Sequence, residues 1–383
     1  MQAIYLDHQA TTPTLSVVID KMAKLWSEEF GNPHSSEHVT GWLANSKVEA
    51  SKTQIAAALN CEMGELFFSS GATEGNNHSI FSMCALSKKL KKKQVIISPI
   101  EHKCVLEASQ YWCEFFNLEL KYTKIDKFGQ VDLLHLEELV KEPTLFASIM
   151  HVNNEVGTIQ EVESISKILS NANVLFHSDC SQAPKTLADM NVGKYFDIAT
   201  FSGHKMGGPQ GIGCTFVRAE IQNLMTPLIL GGGQQNGFRS GTLPLPLCVG
   251  LGEAFNYIKD NRANVSKLKN LRDFFYENLK SQVPEIKLNG PDLGNRHAGN
   301  LNVYFPNVLA ADLLSSLQPE VAASSGSACS SGEISSSYVL QEMGFLSEAE
   351  CSVRFSFSAE LTKKELAKAV SIIEAKYRNL LLE

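Results

Sequence analysis

A lysine that follows an apolar run is the residue of this sequence best suited to covalent chemistry. Lys205 lies in SGHKMGGPQGIG (202–213), directly after the strand-like run DIATFSG (197–203). A lysine amine can form a Schiff base with a carbonyl group when burial or neighbouring positive charge lowers its pKa. The glycines that follow would let the backbone pass close to a bulky ligand. The alternative interpretation is an exposed loop lysine, because most lysines lie on the surface.

A second segment could bind an anion. SSGATEGNN (69–77) lies between a strand-like run and a helical one. Gly71 would allow a tight turn, and the amides of Ala72 and Thr73 would open the helix. Free N–H groups at a helix N-terminus form an anion site that suits a phosphate. An ordinary strand–helix turn capped by Ser or Thr remains the alternative.

A third segment places a carboxylate where an open α/β sheet has its ligand crevice. Asp179, in HSDCSQ (177–182), ends an apolar strand. There it could serve as the buried partner of a cationic ring nitrogen, or it could simply be a helix N-cap. Together, the phosphate turn, Asp179 and Lys205 are the parts needed to hold pyridoxal 5′-phosphate: an anchor, a group that keeps the pyridine nitrogen protonated, and a Schiff-base lysine.

The sequence resembles a known family over nearly its whole length, from YLDHQATTP (5–13) to VRFSFS (353–358). It is similar to the class V aminotransferase-like enzymes of fold type I, and specifically to cysteine desulfurases of the NifS/IscS type. Nine segments match in the family's order and with consistent spacing. They are FGNPHS (30–35), SSGATEGNN (69–77), EHKCV (101–105), HVNNEVGTIQ (151–160), SDCSQ (178–182), SGHKMGGPQGIG (202–213), GGGQQNGFRSGT (231–242), SSGSACSSG (324–332) and VRFS (353–356).

The resemblance implies a role for each matching site residue. Lys205 carries the cofactor, His102 stacks on its ring and serves in acid/base chemistry, and Cys329 is the nucleophile. Asn154 and Arg354 bind the substrate carboxylate, and Asn154 also belongs to the cofactor site. The remaining implied cofactor contacts are Ala72, Thr73, Ser202 and His204 to the phosphate, Asp179 to the ring nitrogen, Gln182 to the phenolic oxygen, and Thr242 to the phosphate of the other subunit in a homodimer.

Three of these residues have structural alternatives when the resemblance is set aside. Arg354 suits a carboxylate because its guanidinium is planar and permanently charged, but a lone strand arginine often forms a structural salt bridge. His102 could be a hydrogen-bonded histidine at a strand end. Cys329 is flanked by small residues that bury little surface, which favours a mobile thiol over a packing cysteine.

The elements that must position these residues alternate between strand and helix. Short apolar runs predict buried strands, with helical spacing between most of them. This order predicts an α/β fold, a mostly parallel sheet between helices. After residue 245 the pattern indicates a smaller α+β domain. The resemblance implies that this is the fold-type I arrangement. We expect a large cofactor-binding domain over 15–250, and a small domain over 1–14 and 251–383 that carries the mobile cysteine loop, about 322–335.

Composition limits the class of protein. The 383 residues carry a net charge of −7, which does not favour non-specific binding to nucleic acid. The nine cysteines are odd in number and scattered, which indicates reduced thiols in the cytoplasm rather than a disulfide scaffold. The N-terminus does not have the pattern of a secretion signal, and no apolar run predicts a membrane-spanning helix. No metal site is expected, apart from a contact of Cys329 with an iron–sulfur cluster or an acceptor.

The resemblance implies that L-cysteine is converted to L-alanine, that a persulfide forms on Cys329, and that an acceptor protein takes the sulfur. The acceptor could serve iron–sulfur cluster assembly, tRNA thiolation or DNA phosphorothioation. Gln210, SFSAEL (356–361) and the chain end at Glu383 depart from relatives that dock an iron–sulfur scaffold, which bears on the acceptor more than on the chemistry. The alternatives are a selenocysteine lyase or other β-lyase, and a non-catalytic sulfur-carrier or scaffold subunit.

Overall fold

Short strands, most of them buried, form the framework of the molecule. The structure is a computed structural model that describes residues 3–187, 189–326 and 336–382. Within those ranges the strands are β1 (Ile4–Tyr5), β2 (Leu66–Ser69), β3 (Gln94–Ile97), β4 (Glu119–Tyr122), β5 (Thr144–Ser148), β6 (Leu175–Asp179), β7 (Ile198–Ser202), β8 (Gly213–Val217), β9 (Lys287–Leu288), β10 (Asn300–Tyr304), β11 (Val321–Ala322) and β12 (Ser352–Ser356).

Helices connect most of these strands. Over the same residues they are α1 (Ser16–Ala23), α2 (Val39–Leu59), α3 (Ala72–Ala85), α4 (Ser87–Leu90), α5 (Lys103–Phe116), α6 (Leu133–Leu139), α7 (Val162–Asn171), α8 (Val192–Tyr195), α9 (Ala219–Gln222), α10 (Leu245–Asp260), α11 (Asn264–Gln282), α12 (Ala310–Ser316), α13 (Tyr338–Glu342) and α14 (Lys363–Leu380). Several begin or end on local sequence signals. Thr362 and Glu365 form a capping box at the start of α14, and α5 ends at Asn117 in the left-handed conformation.

The main sheet brings the ends of distant strands to one edge. Its order is β2-β8-β7-β6-β5-β3-β4. Strands β4, β3, β5, β6 and β7 pair in parallel, whereas β8 is antiparallel to both of its neighbours, β7 and β2. The carboxyl ends of β2, β6 and β7 therefore lie at the same edge as the start of β8. This is the edge where open α/β sheets bind ligands.

Both faces of the main sheet are covered. In β3, Ile96 belongs to one buried apolar cluster, while Val95 and Ile97 belong to another on the opposite face. Because successive side chains of a strand point to opposite faces, burial on both sides produces unbroken apolar runs. Helix α10 packs on α2 and contributes Leu251 and Phe255 to the first cluster.

A second core surrounds a smaller sheet. Strands β12, β10 and β9 form an antiparallel sheet, and β1 pairs in parallel with β11. Leu6 is fully buried in this core beside residues from α11 and α14, such as Phe275 and Ile373. The N-terminal segment therefore packs with the C-terminal part of the chain.

The predicted strands and helices from 15 to 381 have counterparts in the structure, with ends displaced by a few residues. Strand β4 and the two-residue strands β1, β9 and β11 were not predicted. Strand β4 has the sequence ELKY and is partly exposed, so it lacks the apolar signal of a buried strand. The division into two domains at residue 250 stays a prediction.

Candidate active site

The turn between β2 and α3 forms an anion cradle. Gly71 precedes the helix with φ 152°, a backbone angle that favours glycine. The helix has 14 residues, and the amides of Ala72 and Thr73 in its first turn have no partner within the helix. A Cβ on Gly213 would lie 2.7 Å from the Cα of Gly71, so only glycine lets β8 approach the turn this closely. The turn can therefore bind a phosphate with backbone N–H groups.

The end of β7 adds a hydroxyl to this cradle. Ser202 pairs with Gly213 in the sheet. Its Oγ lies 3.9 Å from the position that a Cβ of Gly71 would occupy. The serine hydroxyl therefore faces the phosphate turn, and its proton can be donated to an anion held there.

His204 and Lys205 follow Ser202 in a tight 3₁₀ turn. The Nδ1 of His204 lies 3.1 Å from the Oγ1 of Thr11. Burial, and then the charge of Lys205, lower the pKa of His204 below its ordinary value. Its imidazole is therefore neutral at pH 7 and offers a hydrogen bond rather than a charge. The Lys205 side chain is partly buried.

Asp179 is a buried carboxylate that keeps its charge. Its Oδ2 accepts a hydrogen bond from the Nδ2 of Asn76 at 2.7 Å, and its Oδ1 accepts one from the backbone N–H of Ser181 at 2.9 Å. Burial alone would raise the pKa of Asp179, but the charge of Lys205 and the Ser181 hydrogen bonds outweigh it and hold the pKa below its ordinary value. This anion is thus prepared for a cationic partner.

His102 is the N-cap of helix α5, and a hydrogen bond to its Nδ1 determines which ring nitrogen carries the proton. Its Nδ1 accepts a hydrogen bond from the backbone N–H of Cys104 at 3.2 Å. Burial, and then Lys205, lower the pKa of His102, so the neutral ring carries its proton on Nε2. The Sγ of Cys104 lies 3.1 Å from the same Nδ1. Burial raises the pKa of the Cys104 thiol to about 12, so it stays protonated at neutral pH.

Arg354 and Asn154 meet at a second polar pocket with unsatisfied atoms. Arg354 is 2% exposed. Its Nη2 lies 2.7 Å from the Oδ1 of Asp7, and its Nη1 donates to the backbone carbonyl of Asn154 at 2.9 Å. Among the described residues, neither the Nε of Arg354 nor the Oδ1 of Asn154 has a hydrogen-bond partner. A buried polar group without a partner costs about 1–3 kcal/mol, so the free Nε–H of Arg354 is suited to a carboxylate ligand, whereas the Asn154 Oδ1 is an acceptor and needs a donor.

Two predicted residues lie at the margin of this arrangement. Gln182 is buried, and its Nε2 donates to the backbone carbonyl of Gln9 at 3.0 Å. Thr242 is exposed, on the loop before α10. That loop is tied to the first turn of α3 by Arg239, whose Nε lies 2.7 Å from the Oε1 of Glu74. The loop with Thr242 is thus anchored at the phosphate cradle of its own chain, while Thr242 itself faces outward.

The predicted nucleophile, Cys329, lies outside the described residues. Five other cysteines are buried free thiols: Cys84, Cys113, Cys180, Cys214 and Cys248. Burial raises the pKa of Cys180 well above the ordinary value. Buried thiols of this kind pack as small apolar side chains.

Sequence reasoning missed several residues that complete the site. Asn76 holds Asp179, and its Oδ1 in turn accepts a hydrogen bond from Thr200. It lies one helical turn after Ala72, so helical spacing could have placed it on the same face as the phosphate turn. Asp7, the partner of Arg354, lies in the YLDHQATTP segment, but no local pattern relates it to a strand near the other end of the chain.

The residues present fit pyridoxal phosphate. The glycine cradle with Ser202 and His204 offers neutral donors to a phosphate, and it would be blocked by a Cβ at Gly213. The charged Asp179 suits a protonated ring nitrogen, and Lys205 acts electrostatically on that carboxylate. The site thus offers hydrogen-bond donors to the phosphate and a negative charge to the ring nitrogen.

The chain is similar in sequence to a protein family and to individual known proteins over nearly its whole length. The family model described as aminotransferase class-V matches residues 4–368. The chain is 40% identical over 383 residues to the cysteine desulfurase IscS of Rickettsia bellii, covering 98% of this chain and 92% of that protein. It is 37% identical over 385 residues to a probable mitochondrial cysteine desulfurase of Dictyostelium discoideum, covering 99% of this chain and 84% of that protein.

Solved structures of similar proteins have the same fold as this chain. A NifS-like protein superposes with a TM-score of 0.90 at 32% identity, covering 98% of this chain and 99% of that one. DndA from Streptomyces lividans superposes with a TM-score of 0.77 at 31% identity, covering 94% and 99%. The predicted α/β fold, a mostly parallel sheet between helices, is thereby confirmed.

Within the described residues, no group of three or more His, Cys, Asp or Glu side chains is arranged to hold a metal ion. In the same part of the chain, no helix has both the length and the apolar composition of a membrane span.

Proposed function

The chain belongs to the class-V aminotransferase family, among the IscS- and NifS-like cysteine desulfurases, and we propose that it converts L-cysteine to L-alanine by transferring the sulfur to Cys329. Enzymes of this family depend on pyridoxal phosphate. The observation that carries the proposal is the buried Asp179 carboxylate, which stays charged under the influence of Lys205. A carboxylate of this kind would hold the protonated ring nitrogen of the cofactor, and Lys205 is the amine that would bind it covalently.

The other cofactor contacts follow from the geometry of the cradle and from the family motifs. When bound, pyridoxal phosphate supplies an electron sink that stabilises negative charge at the α-carbon of the substrate. The residues that would hold it are Ala72, Thr73, Ser202 and His204 at the phosphate, Asp179 at the ring nitrogen, Gln182 at the phenolic oxygen, His102 on the ring face, Asn154 beside it, and Thr242 from the partner subunit.

Arg354 and Asn154 bind and orient the substrate. The free Nε of Arg354 donates to the carboxylate of cysteine, and the guanidinium charge compensates it. Because Asp7 and the Asn154 carbonyl already hold the two terminal nitrogens, the guanidinium is fixed before the substrate arrives. This preorganisation reduces the entropy lost when the substrate is positioned.

Lys205 and His102 move protons. The Lys205 amine removes the proton from the α-carbon of the substrate. His102 is neutral with its proton on Nε2, so it can donate a hydrogen bond or a proton within the same site. Its Nδ1 is occupied by the Cys104 backbone N–H, which keeps the ring in this tautomer.

Cys329 receives the sulfur. Its thiolate attacks the substrate sulfur, so that an S–S bond forms and the bond between that sulfur and the β-carbon breaks. The electron pair of the broken bond stays with carbon, which takes up a proton to give alanine. The persulfide on Cys329 then passes its outer sulfur to an acceptor thiol.

Two variants test the assignment with one control. Cys329→Ser should abolish formation of sulfide and alanine from L-cysteine while retaining the visible absorbance of the bound cofactor. Lys205→Ala should lose both turnover and the absorbance of covalently attached cofactor. Cys351→Ser, at a partly buried free cysteine, is the matched control and should keep its turnover.

Three results would contradict the proposal. Full turnover of Cys329→Ser would show that Cys329 is not the nucleophile. Alanine formed from selenocysteine but hardly from cysteine would indicate a selenocysteine lyase or another β-lyase. Purified protein that never gains cofactor absorbance when pyridoxal phosphate is added would indicate a non-catalytic carrier or scaffold subunit.

The proposal includes a homodimer in the cytoplasm. It is supported by the exposed Thr242 on a loop tied through Arg239 to the cradle of its own chain, an arrangement that allows the loop to reach a neighbouring cradle. Light scattering should give twice the chain mass, and Thr242→Ala should weaken cofactor binding. The sulfur acceptor belongs to iron–sulfur assembly, tRNA thiolation or DNA phosphorothioation. A pull-down with persulfide-loaded enzyme, followed by identification of the captured protein, would distinguish these three pathways.

A further inference from the structure

A cavity of about 520 Å³ lies between the two apolar cores. Leu15 and Met206 line it from the core of the main sheet, and Leu268 lines it from the core of the smaller sheet. None of the residues assigned above to cofactor or substrate is in its lining. Its volume is in the range of small-molecule binding sites.

A cation without a partner faces this cavity. The partly buried Lys185 lines it, and among the described residues its ammonium makes no hydrogen bond and has no carboxylate oxygen within 4.0 Å. Burial lowers the pKa of Lys185 to about 8, so the ammonium is mostly charged at pH 7. Glu360 is the one acid among the described lining residues, while Arg262 and Lys267 add exposed cations. The lining therefore favours an anion.

His8 adds a second polar side chain to the lining. It is 8% exposed, and its imidazole also interacts with the backbone of Tyr5. Burial, and then the charge of Lys185, lower the pKa of His8 to about 3, so the ring is neutral. A neutral imidazole nitrogen can donate or accept a hydrogen bond according to its tautomer.

Part of the wall is apolar, formed by Leu15, Val17, Leu187, Ile258 and Leu268, and the rest includes hydroxyl and amide side chains such as Thr14 and Asn264. The inner cation matches a single negative charge, and the apolar part of the wall matches a hydrocarbon body. We propose that this cavity is a second ligand site, which binds a small monocarboxylate with an apolar tail through Lys185 and His8.

The cavity adjoins the chain segments that carry the cofactor site. Met206 and Gly207 in its lining follow Lys205 directly, and Pro184 and Lys185 follow Gln182 closely. A ligand there would touch the backbone next to the cofactor-binding lysine. Occupancy should therefore be visible as a change in the absorbance of the bound cofactor.

Isothermal titration calorimetry of the holoenzyme with hexanoate tests the proposal. 1-Hexanol, which has the same chain length but no charge, is the control ligand. Wild type should bind one hexanoate per chain. Lys185→Met should weaken binding by about 10-fold or more, because a hydrogen bond to a charged group is lost. Lys269→Met, an exposed lysine outside the lining, should bind within twofold of wild type. Ala359→Phe, which fills the cavity without altering Lys185, should also weaken binding and covers the case in which Lys185→Met fails to fold.

Four outcomes overturn the proposal. The first is the absence of saturable hexanoate binding, and the second is equal binding by wild type and the folded Lys185→Met or Ala359→Phe variants. The third is loss of binding in Arg354→Lys with none in Lys185→Met, which would place the carboxylate in the substrate pocket. The fourth is binding of 1-hexanol as tight as that of hexanoate, which would show that the negative charge of the ligand does not contribute to binding.

Discussion

Asp179 and Lys185 are six positions apart and carry opposite charges, one buried and one partly buried, but their surroundings differ. Asp179 accepts hydrogen bonds from Asn76 and Ser181 and lies under the influence of Lys205, and its pKa falls. Lys185 has no hydrogen-bond partner among the described residues, and burial lowers its pKa toward the neutral form against the weaker opposing effect of Glu360. A carboxylate held by neutral dipoles keeps a charge that a ligand can use, whereas a bare ammonium is stabilised once an anion arrives.

The largest expected effect comes from removing the charge of the supported anion. Asp179→Asn keeps the shape of the side chain but cannot hold a protonated ring nitrogen as an ion pair. We expect kcat/KM for L-cysteine to fall by about 10²-fold or more, as when a preorganised electrostatic contact is lost. Steady-state alanine formation measures it. Asp197→Asn, at a partly buried carboxylate paired with Arg218, is the control and should lose stability but not activity; equal activity losses in both would contradict the role of Asp179.

A smaller effect is expected at the other buried charge of the site. Arg354→Lys keeps a positive charge but replaces a fixed planar fork by a single ammonium, which cannot serve both Asp7 and a substrate carboxylate. KM for L-cysteine should rise by about 10-fold or more, with a lesser change in kcat, because one charge-assisted hydrogen bond is lost. Steady-state kinetics over a wide range of cysteine concentration tests this. An unchanged KM would mean that the carboxylate binds elsewhere.

Removing the unsupported cation should stabilise the protein. The folded-state pKa of Lys185 is about 8, against 10.5 for the ordinary group, so the unfolded chain binds more protons between these pH values and wild-type stability rises with pH there. Below pH 8 the cost of the buried ammonium is fully present. Lys185→Met should therefore exceed wild type in free energy of unfolding by about 1 kcal/mol or more at pH 7.5, with the gap narrowing toward pH 10.5.

Urea unfolding at several pH values measures that gap. The nearby His8 and His297 have pKa values of about 3 and stay neutral in this range, so they do not obscure it. Lys269→Met, exposed and outside the cavity, should show no pH-dependent gap. A gap that stays constant from pH 7.5 to 10.5 would show that Lys185 does not titrate as described.

The smallest effect concerns the thiol beside His102. Because burial keeps the Cys104 thiol protonated, and because the backbone N–H of residue 104 fixes the His102 tautomer, Cys104→Ala should alter turnover by no more than about threefold. Alanine formation at saturating cysteine measures it, beside Cys329→Ser. A loss as large as that of Cys329→Ser would assign sulfur chemistry to Cys104.

Much of this molecule could be predicted from the sequence because its central strands are buried on both faces. Such strands produce short apolar runs, as in β5 and β7, and the ligand-binding edge follows from where those runs end. The polar strand β4 gives no such signal. Asp179 and Lys205 could be identified because Asp179 ends a strand and Lys205 lies in the turn after the next one.

The contacts that complete the site could not be predicted, because they join residues far apart in the chain. Asn76 and Asp179 are separated by 103 positions, and Asp7 and Arg354 by 347. Periodicity relates residues within one element, whereas these hydrogen bonds depend on strand order. The lack of a partner at Lys185 is likewise a property of the packed cores and has no local signature.

The pairing of β1 with β11 has a consequence for synthesis of the chain. Ribosomes add about 5–20 residues per second, so on the order of tens of seconds separate the emergence of Ile4 from that of Val321. The last strand of the main sheet ends at Val217 and leaves the ribosome well before β12 does. A nascent chain can therefore assemble Asp179 and Lys205, and capture its cofactor, before the Asp7–Arg354 pair that receives the substrate exists.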